Sequence, residues 1–423
     1  MSASAALLTA ADGSRQGDTA VVRPNRLLVA GLLVFLLACV FDPADRLLGL
    51  KVQIFLGCWF IVALQALAVG STMKIHRGLL AYVLLFNTVP AASILWYMFS
   101  SGGEPFAGFQ LLKGYLLIAL ALLLFASRIN LLPILSGVLV LLAVSILGMF
   151  FVLTIFPDLF TPLYLFGSAT GVFILDDRNY GGLVLRQVYF VTSPMLAIAI
   201  AHYFDAARRN SGTARWWFGS LSAICVAAMF VAGTRNNMAV SILLPATLLV
   251  LGSRRFLEMA LVSGTLLACI ALLFNEQLAQ LLDPTETSNS MKLLLLQDYE
   301  RILSDPLGLF VGRGLGAYDY WSIRAAYFYV SELTYLELVR NFGVFGALTM
   351  LALLLYPVVY AFYLRRCYPE RHIVVAYAFY LLMCASNPNL FSSMGILILA
   401  VVLANIVLFE REHADATRPG VAA

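Results

Sequence analysis

Charged residues are scarce in this chain. Asp, Glu, Lys and Arg together make up 12% of its 423 residues, whereas 61% of the residues are apolar. A soluble globular domain has about twice that charged share, roughly a quarter. The composition therefore excludes a soluble globular protein, and the high apolar share also excludes a disordered chain. A mean hydropathy of +0.89 indicates that most of the chain lies in lipid.

Twelve apolar runs are long enough, or nearly so, to cross a membrane as helices. They predict an all-α, polytopic integral membrane protein in which residues 27–410 form a single transmembrane domain. The predicted spans are residues 27–41, 52–70, 78–98, 110–127, 131–156, 187–204, 216–233, 238–252, 256–275, 340–364, 372–386 and 394–409.

The basic residues predict the orientation of these spans. With both termini cytoplasmic, the two tails and the short inner segments contain 16 of the 27 basic residues, in agreement with the positive-inside rule. Residues 1–26 then form a cytoplasmic N-terminal tail, and residues 411–423 form a cytoplasmic C-terminal tail. This orientation leaves two long loops on the outer side, at about 157–186 and 276–339, and we expect them to carry the function.

Histidine and cysteine are few, and their positions exclude two kinds of site. All four histidines fall on or near the predicted inner side, which leaves none for a zinc site on the outer side. Five of the six cysteines fall within predicted spans, so no disulfide framework is indicated. We expect neither a metal nor another cofactor.

Arginine outnumbers lysine by 23 to 4, and several arginines lie on the predicted outer side, where the orientation rule leads us to expect few. Guanidinium groups bind phosphate oxygens through paired hydrogen bonds and stay charged at any working pH. We interpret the excess as a pyrophosphate-binding site. The alternative is that each arginine pairs with a nearby acid, such as Asp177 or Asp298. The outer arginines are Arg46, Arg178, Arg186, Arg235, Arg301, Arg313, Arg324 and Arg340.

Two of these arginines are predicted to lie close to the bilayer. Arg235 is in the tight turn VAGTRNNMAV between two apolar spans, and an ionisable residue at that depth marks a functional site by default. Arg186 opens the sixth span, directly after the first outer loop. The alternatives are a turn residue that reaches to the interface for Arg235 and an interfacial anchor for Arg186.

The second outer loop contains the string GRGLG at residues 312–316. A phosphate-binding glycine loop requires a βαβ unit, and the sequence predicts none. We therefore interpret Gly314 as part of a tight turn that brings the backbone near a substrate. The aromatic residues that begin at Tyr318 are typical of a membrane-interface belt, and stacking on sugar rings is the alternative.

The layout resembles the Wzy-type polysaccharide polymerases and the O-antigen ligases. Four strings are similar to segments of that superfamily, and the resemblance covers roughly residues 140–410. They are VAGTRNN around Arg235, ERILSDPLGLFVGRGLGAY (300–318), SELTYLELVRNFGVFGALTML (331–351) and NPNLFSS (387–393). Ligases and many relatives carry a histidine about eleven residues before the first glycine of the Gly-x-x-Gly element, where this chain has Glu332. That departure favours the polymerase branch.

The resemblance implies a metal-independent glycosyltransferase at the periplasmic face of the bacterial inner membrane. Such an enzyme transfers a glycan from undecaprenyl pyrophosphate to a hydroxyl of another lipid-linked repeat unit, and builds exopolysaccharide, capsule or O-antigen. Its partners are the lipid-linked oligosaccharide and inner-membrane lipid, with a flippase and a chain-length regulator acting alongside. No nucleic acid partner is expected.

The chemistry requires fixed cations at the leaving pyrophosphate and a base near the acceptor hydroxyl. We predict Arg186, Arg235 and Arg301 as the clamp and Glu332 as the base, with Glu337 as the second candidate for the base. The further predicted substrate contacts are Arg178, Arg313, Arg340, Glu337, Gly314 and Tyr318.

Two other functions are compatible with the composition. A ligase that moves finished polymer onto a lipid core is disfavoured by the missing outer histidine. A transporter is the alternative of another class, but transporter folds usually contain internal repeats and ionisable groups near the membrane midplane. The sequence contains no such repeat, and its ionisable residues concentrate at the predicted outer face.

Overall fold

A computed structural model gives the fold of residues 25–47, 49–68, 75–101, 105–180, 183–252, 287–364, 368, 370–386 and 390–417, with residues 258, 260, 261, 264 and 265. These residues are mainly helical, and two short antiparallel hairpins are the sheet structure among them. Long apolar helices identify a multi-pass membrane protein.

The elements are numbered here in chain order. The helices are α1 Arg26–Phe41, α2 Lys51–Ala68, α3 Arg77–Ser101, α4 Phe106–Leu116, α5 Leu120–Ser127, α6 Leu132–Ile155, α7 Phe160–Thr170, α8 Leu196–Arg209, α9 Gly212–Val231, α10 Arg235–Gly252, α11 Thr287–Ile302, α12 Pro306–Val311, α13 Thr334–Tyr363, α14 Arg371–Met383 and α15 Ser393–Thr417. The strands are β1 Phe173–Tyr180, β2 Leu183–Phe190, β3 Asp319–Trp321 and β4 Ala326–Phe328.

Ten of the twelve predicted spans coincide with apolar helices. Seven of these helices are long enough to cross a membrane, with α4 and α5 joined by a short 3₁₀ turn into one span. Helices α1, α10 and α14 are apolar but shorter. The predicted ninth span, residues 256–275, lies outside the described residues apart from a few isolated positions. Helix α15 extends to Thr417, beyond the predicted start of the C-terminal tail.

The prediction for the sixth span, residues 187–204, is wrong. Its first residues belong to β2, and the helix that follows, α8, has 14 residues, which is about 21 Å against a hydrocarbon core of ~30 Å. The first outer loop is also not a loop, because it contains α7 and the β1–β2 hairpin. Tyr180 pairs with Leu183. The Gly-Gly pair between them in sequence is a hairpin signal that hydropathy does not detect.

Burial separates central from peripheral helices. In α15, 83% of the apolar window is buried, whereas the figure for α9 is 22%. Every residue from Leu196 to Ala201 in α8 is also fully buried. Helices α8 and α15 therefore lie at the centre of the bundle, and the described residues leave most of α9 uncovered.

Both hairpins lie on one side of the bundle, which we call the hairpin face. The α9–α10 turn connects them. A Cβ atom on Gly233 of this turn would lie 2.6 Å from Cγ of Gln187 on β2, and Arg235 donates to Asn289 Oδ1 of α11 at 2.6 Å. Helix α11 in turn packs against β3. The predicted orientation makes this face the outer one.

Candidate active site

Three arginines surround the short strand β3. Arg313 donates to Asp319 Oδ1 at 3.4 Å, and Arg340 donates to the other oxygen of the same carboxylate at 2.8 Å. Arg301 donates to the carbonyl oxygen of Tyr320 at 2.6 Å. We call Arg301, Arg313 and Arg340 the β3 cluster. The cluster brings together residues that are up to 39 positions apart in sequence (301 to 340).

Arg340 is the buried member of the cluster, with 0% of its side chain exposed. Its five N–H donors are all used within the protein. They go to the carbonyl oxygens of Ala317 (2.9 Å) and Tyr329 (2.7 Å), to Asp319 (2.8 Å), and twice to Glu337, once at 3.0 Å. The prediction that Arg340 contacts substrate is therefore wrong for this structure. Arg340 instead joins the loop before β3, the segment after β4 and helix α13.

Glu337 is buried beside Arg340 and accepts hydrogen bonds on both carboxylate oxygens. Tyr299 donates its hydroxyl to Oε2 at 2.9 Å, and Asn341 donates its amide to Oε1 at 3.1 Å, in addition to the two bonds from Arg340. Burial raises the pKa of Tyr299, which keeps the phenol protonated as a donor. Both carboxylate oxygens of this buried side chain are therefore occupied by protein donors. The prediction of Glu337 as a second base, or as a substrate contact, does not hold.

A break in α13 frees backbone carbonyl groups that bind the glycine-rich loop, residues 312–316. Gly343 has φ 65° and ψ 176°, which interrupts the helical hydrogen-bond ladder. The carbonyl oxygens of Arg340 and Asn341, released from that ladder, accept the backbone N–H groups of Arg313 (2.7 Å) and Gly314 (3.2 Å). The loop thus supplies the N–H donors that these two carbonyl oxygens lack within the helix.

Glycine is required in this loop by conformation and by space. Gly312, Gly314 and Gly316 all have φ between 88° and 99°, a region that other residues adopt only with strain. A Cβ atom on Gly314 would overlap the side chain of Tyr97 on α3. Gly314 is therefore a packing residue that meets a membrane helix, and the predicted approach of its backbone to substrate is wrong here.

Helix α3 completes the packing of the loop. Ser93 donates its hydroxyl to the Asn341 carbonyl at 2.7 Å and accepts the N–H of Leu315 at 2.8 Å. The indole N–H of Trp96 donates to the Gly312 carbonyl at 3.0 Å. The loop is consequently fixed by α13 on one side and by α3 on the other. It positions Arg313 in the segment that leads into β3.

Two members of the cluster face solvent. The side chain of Arg301 is 53% exposed and that of Arg313 is 45% exposed. Arg301 uses only Nη2, toward Asp298 and Tyr320, and Arg313 uses only Nη2, toward Asp319. Each guanidinium has five N–H donors, so Nε and Nη1 of both side chains have no partner among the described residues. Each of these outward guanidinium groups can bind an anion.

The acids of the cluster are buried behind these arginines. Asp298 is buried and accepts from Arg301 and from the backbone and hydroxyl of Ser322 at 2.8 and 2.7 Å. Asp319 is buried between the other two arginines. The pairing alternative is thus realised in part, because three carboxylates, including Glu337, balance three guanidinium groups. The arrangement directs negative charge inward and positive charge toward solvent.

Exposed aromatic rings flank the outward arginines. Tyr318 lies edge-on to Tyr329 with ring centroids 5.3 Å apart, and Tyr320 lies edge-on to Tyr327 at 5.6 Å. Arg301 lies 5.8 Å from the ring centre of Tyr320. Tyr318, Tyr320 and Tyr327 are all exposed, so they form a surface on which a sugar ring could stack beside the cations.

Glu332 lies between β4 and α13 on the same face. Its side chain is exposed, whereas Ser331 before it and Thr334 after it are buried. No hydrogen bond or ion pair joins the Glu332 side chain to another described residue. Tyr329, three positions earlier, accepts from Arg340 at 2.7 Å, which places the segment against the β3 cluster. The Glu332 carboxylate is therefore accessible on the same face as the outward arginines.

Arg186 does not face the β3 cluster. It forms a two-bond ion pair with Asp177 across the β1–β2 hairpin at 3.0 and 3.2 Å, and it donates to the Leu153 carbonyl of α6 at 2.6 Å. Its guanidinium also lies 5.5 Å from the ring centre of Phe160. Arg186 therefore fastens the hairpin to α6 and α7. Arg178 lies on β1 opposite Leu185, and its side chain is outside the described part.

The three arginines predicted as a clamp do not converge. Arg235 contacts Asn289, and Arg301 lies twelve residues further along the same helix, α11. Twelve residues of helix correspond to about 18 Å. Arg301 and Arg313, by contrast, both contact residues of β3. Tyr299, Asp319 and Ser93 were missed, and no local sequence pattern marks them, because their partners come from distant segments.

Comparisons with known proteins leave the family of this chain open. No family model and no curated protein matches it.

Proposed function

We propose that the protein is a polymerase of lipid-linked oligosaccharide repeat units, acting at the hairpin face. The observation that carries the proposal is the pair of outward guanidinium groups of Arg301 and Arg313, held on a buried network and flanked by exposed tyrosines. The donor is an undecaprenyl-pyrophosphate-linked glycan, and the acceptor is a hydroxyl of a second such glycan. The resemblance in order and topology described above supports the same reaction class.

The arginines supply electrostatic stabilisation. Breaking the bond between the anomeric carbon and the pyrophosphate oxygen leaves negative charge on the pyrophosphate, and preorganised donors aimed at that charge lower the barrier. Nε and Nη1 of Arg301 and Arg313 can present paired N–H groups to phosphate oxygens. Their third neighbour, Arg340, does not touch the substrate. Arg340 keeps β3 in place, so that the outward pair does not have to reorganise during the reaction.

Glu332 is assigned as the proton acceptor. The acceptor hydroxyl forms the new glycosidic bond to the anomeric carbon, its proton passes to the Glu332 carboxylate, and the bond to the pyrophosphate breaks. The products are the extended glycan and undecaprenyl pyrophosphate. A general base of this kind typically contributes ~10²–10⁴-fold to a rate. A flippase that supplies repeat units and a chain-length regulator are the partners implied by this reaction.

Replacing both outward arginines by glutamine (Arg301→Gln with Arg313→Gln) should lower chain elongation by a factor of at least ~10². The measurement is elongation of a purified lipid-linked oligosaccharide by the reconstituted protein, resolved by chain length. Arg324→Gln is the matched control, because Arg324 is also exposed on this face but lies over the ring of Phe328, 4.3 Å from its centre. Equal activity of the double variant and the control would exclude the proposed anion site.

Replacing Glu332 by glutamine keeps the shape of the side chain and removes its basicity. We expect turnover to fall by ~10²-fold or more while the affinity for the donor stays within a few fold, because Glu332 acts on the acceptor proton. Steady-state kinetics in the same assay separate the two effects. A variant with normal turnover would show that Glu332 is not the base. Accumulation of finished polymer on its carrier in cells that carry this variant would favour the ligase alternative.

A further inference from the structure

A second candidate binding site runs along α9, and its end at Arg208 and Arg215 is remote from the hairpin face. A groove of about 810 Å³ runs between α9 and α10, with the end of α8 at one of its ends. Along α9 its lining extends from Arg215 to Val231, which corresponds to about 24 Å of helix. One leaflet of the ~30 Å hydrocarbon core is about 15 Å thick, so the groove can hold a complete acyl chain.

The helices that line the groove have small residues there. Gly219, Ser222, Ala223 and Ala227 form its floor on α9, and Pro245 lies on the facing side of α10. A Cβ atom built on Gly219 meets nothing within 4 Å. Helix α9 is also the least buried of the long apolar helices among the described residues.

Positive charge is concentrated at one end of the groove. Arg208 at the end of α8 and Arg215 at the start of α9 both line it, and two residues separate these helices. Residues 204–215 contain three arginines and one aspartate, a formal charge of +2. Trp216 and Trp217, both exposed, follow directly, and tryptophan is typical of the level of the lipid headgroups.

We infer that this groove binds an anionic glycerophospholipid, with its phosphate at Arg208 and Arg215 and one acyl chain along α9. A basic pocket between membrane helices is the usual recognition site for an anionic lipid headgroup. A zwitterionic lipid matches the apolar part of the groove equally well but lacks the net negative charge. The inference does not depend on the reaction proposed at the hairpin face.

Native mass spectrometry of the purified protein tests the headgroup contact, with dioleoyl phosphatidylglycerol and dioleoyl phosphatidylcholine as probes. We expect tighter binding of phosphatidylglycerol, and a loss of roughly thirtyfold in its affinity for Arg208→Gln with Arg215→Gln. Arg26→Gln with Arg77→Gln is the control, because both residues are exposed basic residues at helix starts and do not line the groove. Equal affinity for the two lipids, or equal losses for the two double variants, would overturn the inference.

Filling the groove tests the acyl-chain contact separately. Gly219→Leu places a side chain in the open space, and we expect it to lower retention of phosphatidylglycerol at least tenfold without unfolding the protein. Gly137→Leu on α6 is the control, because a Cβ atom there also meets nothing within 4 Å and the position is outside the groove. Unchanged retention in Gly219→Leu would show that lipid does not enter.

Discussion

Arg340→Met should destabilise the hairpin face more than any other single substitution in it. Among the described residues, the change removes the one guanidinium that contacts Glu337, and it leaves that carboxylate and Asp319 buried with fewer donors. Breaking a buried ion pair from one side typically costs about 3–5 kcal/mol, because the remaining charge is uncompensated. We expect a lower midpoint of thermal unfolding in detergent, measured by size-exclusion chromatography of heated samples. Loss of elongation activity should accompany it.

Two variants separate the network from a general effect of losing a cation. Arg324→Met removes an exposed arginine from the same face, and its midpoint should stay near that of the parent protein. Arg340→Lys keeps the charge but provides three donors instead of five, so its midpoint should fall between the other two. A stable Arg340→Met protein would contradict the assignment of Arg340 as the structural centre of the cluster.

Gly343→Ala should also destabilise the hairpin face. Gly343 has φ 65°, and a Cβ atom at this position would overlap the carbonyl oxygen of Phe310 at the end of α12. The left-handed backbone costs an L-residue roughly 1–2 kcal/mol and overpacking adds about 1–3 kcal/mol. The same thermal assay should report a large drop in the unfolding midpoint, with reduced accumulation of the protein in membranes.

Gly148→Ala is the matched control for this substitution. Gly148 lies within α6, where no positive φ is present and where a Cβ atom meets nothing within 4 Å. Alanine is the better helix former at such a position, so the midpoint should be unchanged or slightly higher. If Gly343→Ala behaved like Gly148→Ala, the break in α13 would not be needed for packing of the glycine-rich loop.

Most of the membrane-embedded fold could be predicted from the sequence. An apolar run of about 20 residues satisfies its backbone only as a helix in lipid, so residues 132–155 or 393–413 leave little choice. Residues 187–190 were predicted as the start of a helix because hydropathy alone does not distinguish a buried strand from the start of a helix. The Gly-Gly pair before Leu183 carried the missing information, since it is turn chemistry and not hydropathy that predicts a hairpin.

The candidate site could be predicted in composition but not in arrangement. Arg301 and Arg313 were among the predicted residues, and both lie beside β3 with exposed side chains. The sequence could not show that Arg340 is buried with all five donors used, whereas Arg313 remains half exposed. Burial depends on Ala317, Asp319 and Tyr329, which approach Arg340 only after the β3–β4 hairpin has packed against α13.

The sequence by itself determined that this protein crosses a membrane many times as helices, because the scarcity of charge and the length of its apolar runs constrain each segment independently. Only the tertiary structure decided which ionisable groups lie together. Contacts such as Arg340 with Asp319, or Ser93 with Asn341, join segments that are 21 and 248 residues apart. They depend on how helices pack and where α13 breaks, and local sequence patterns contain no record of either.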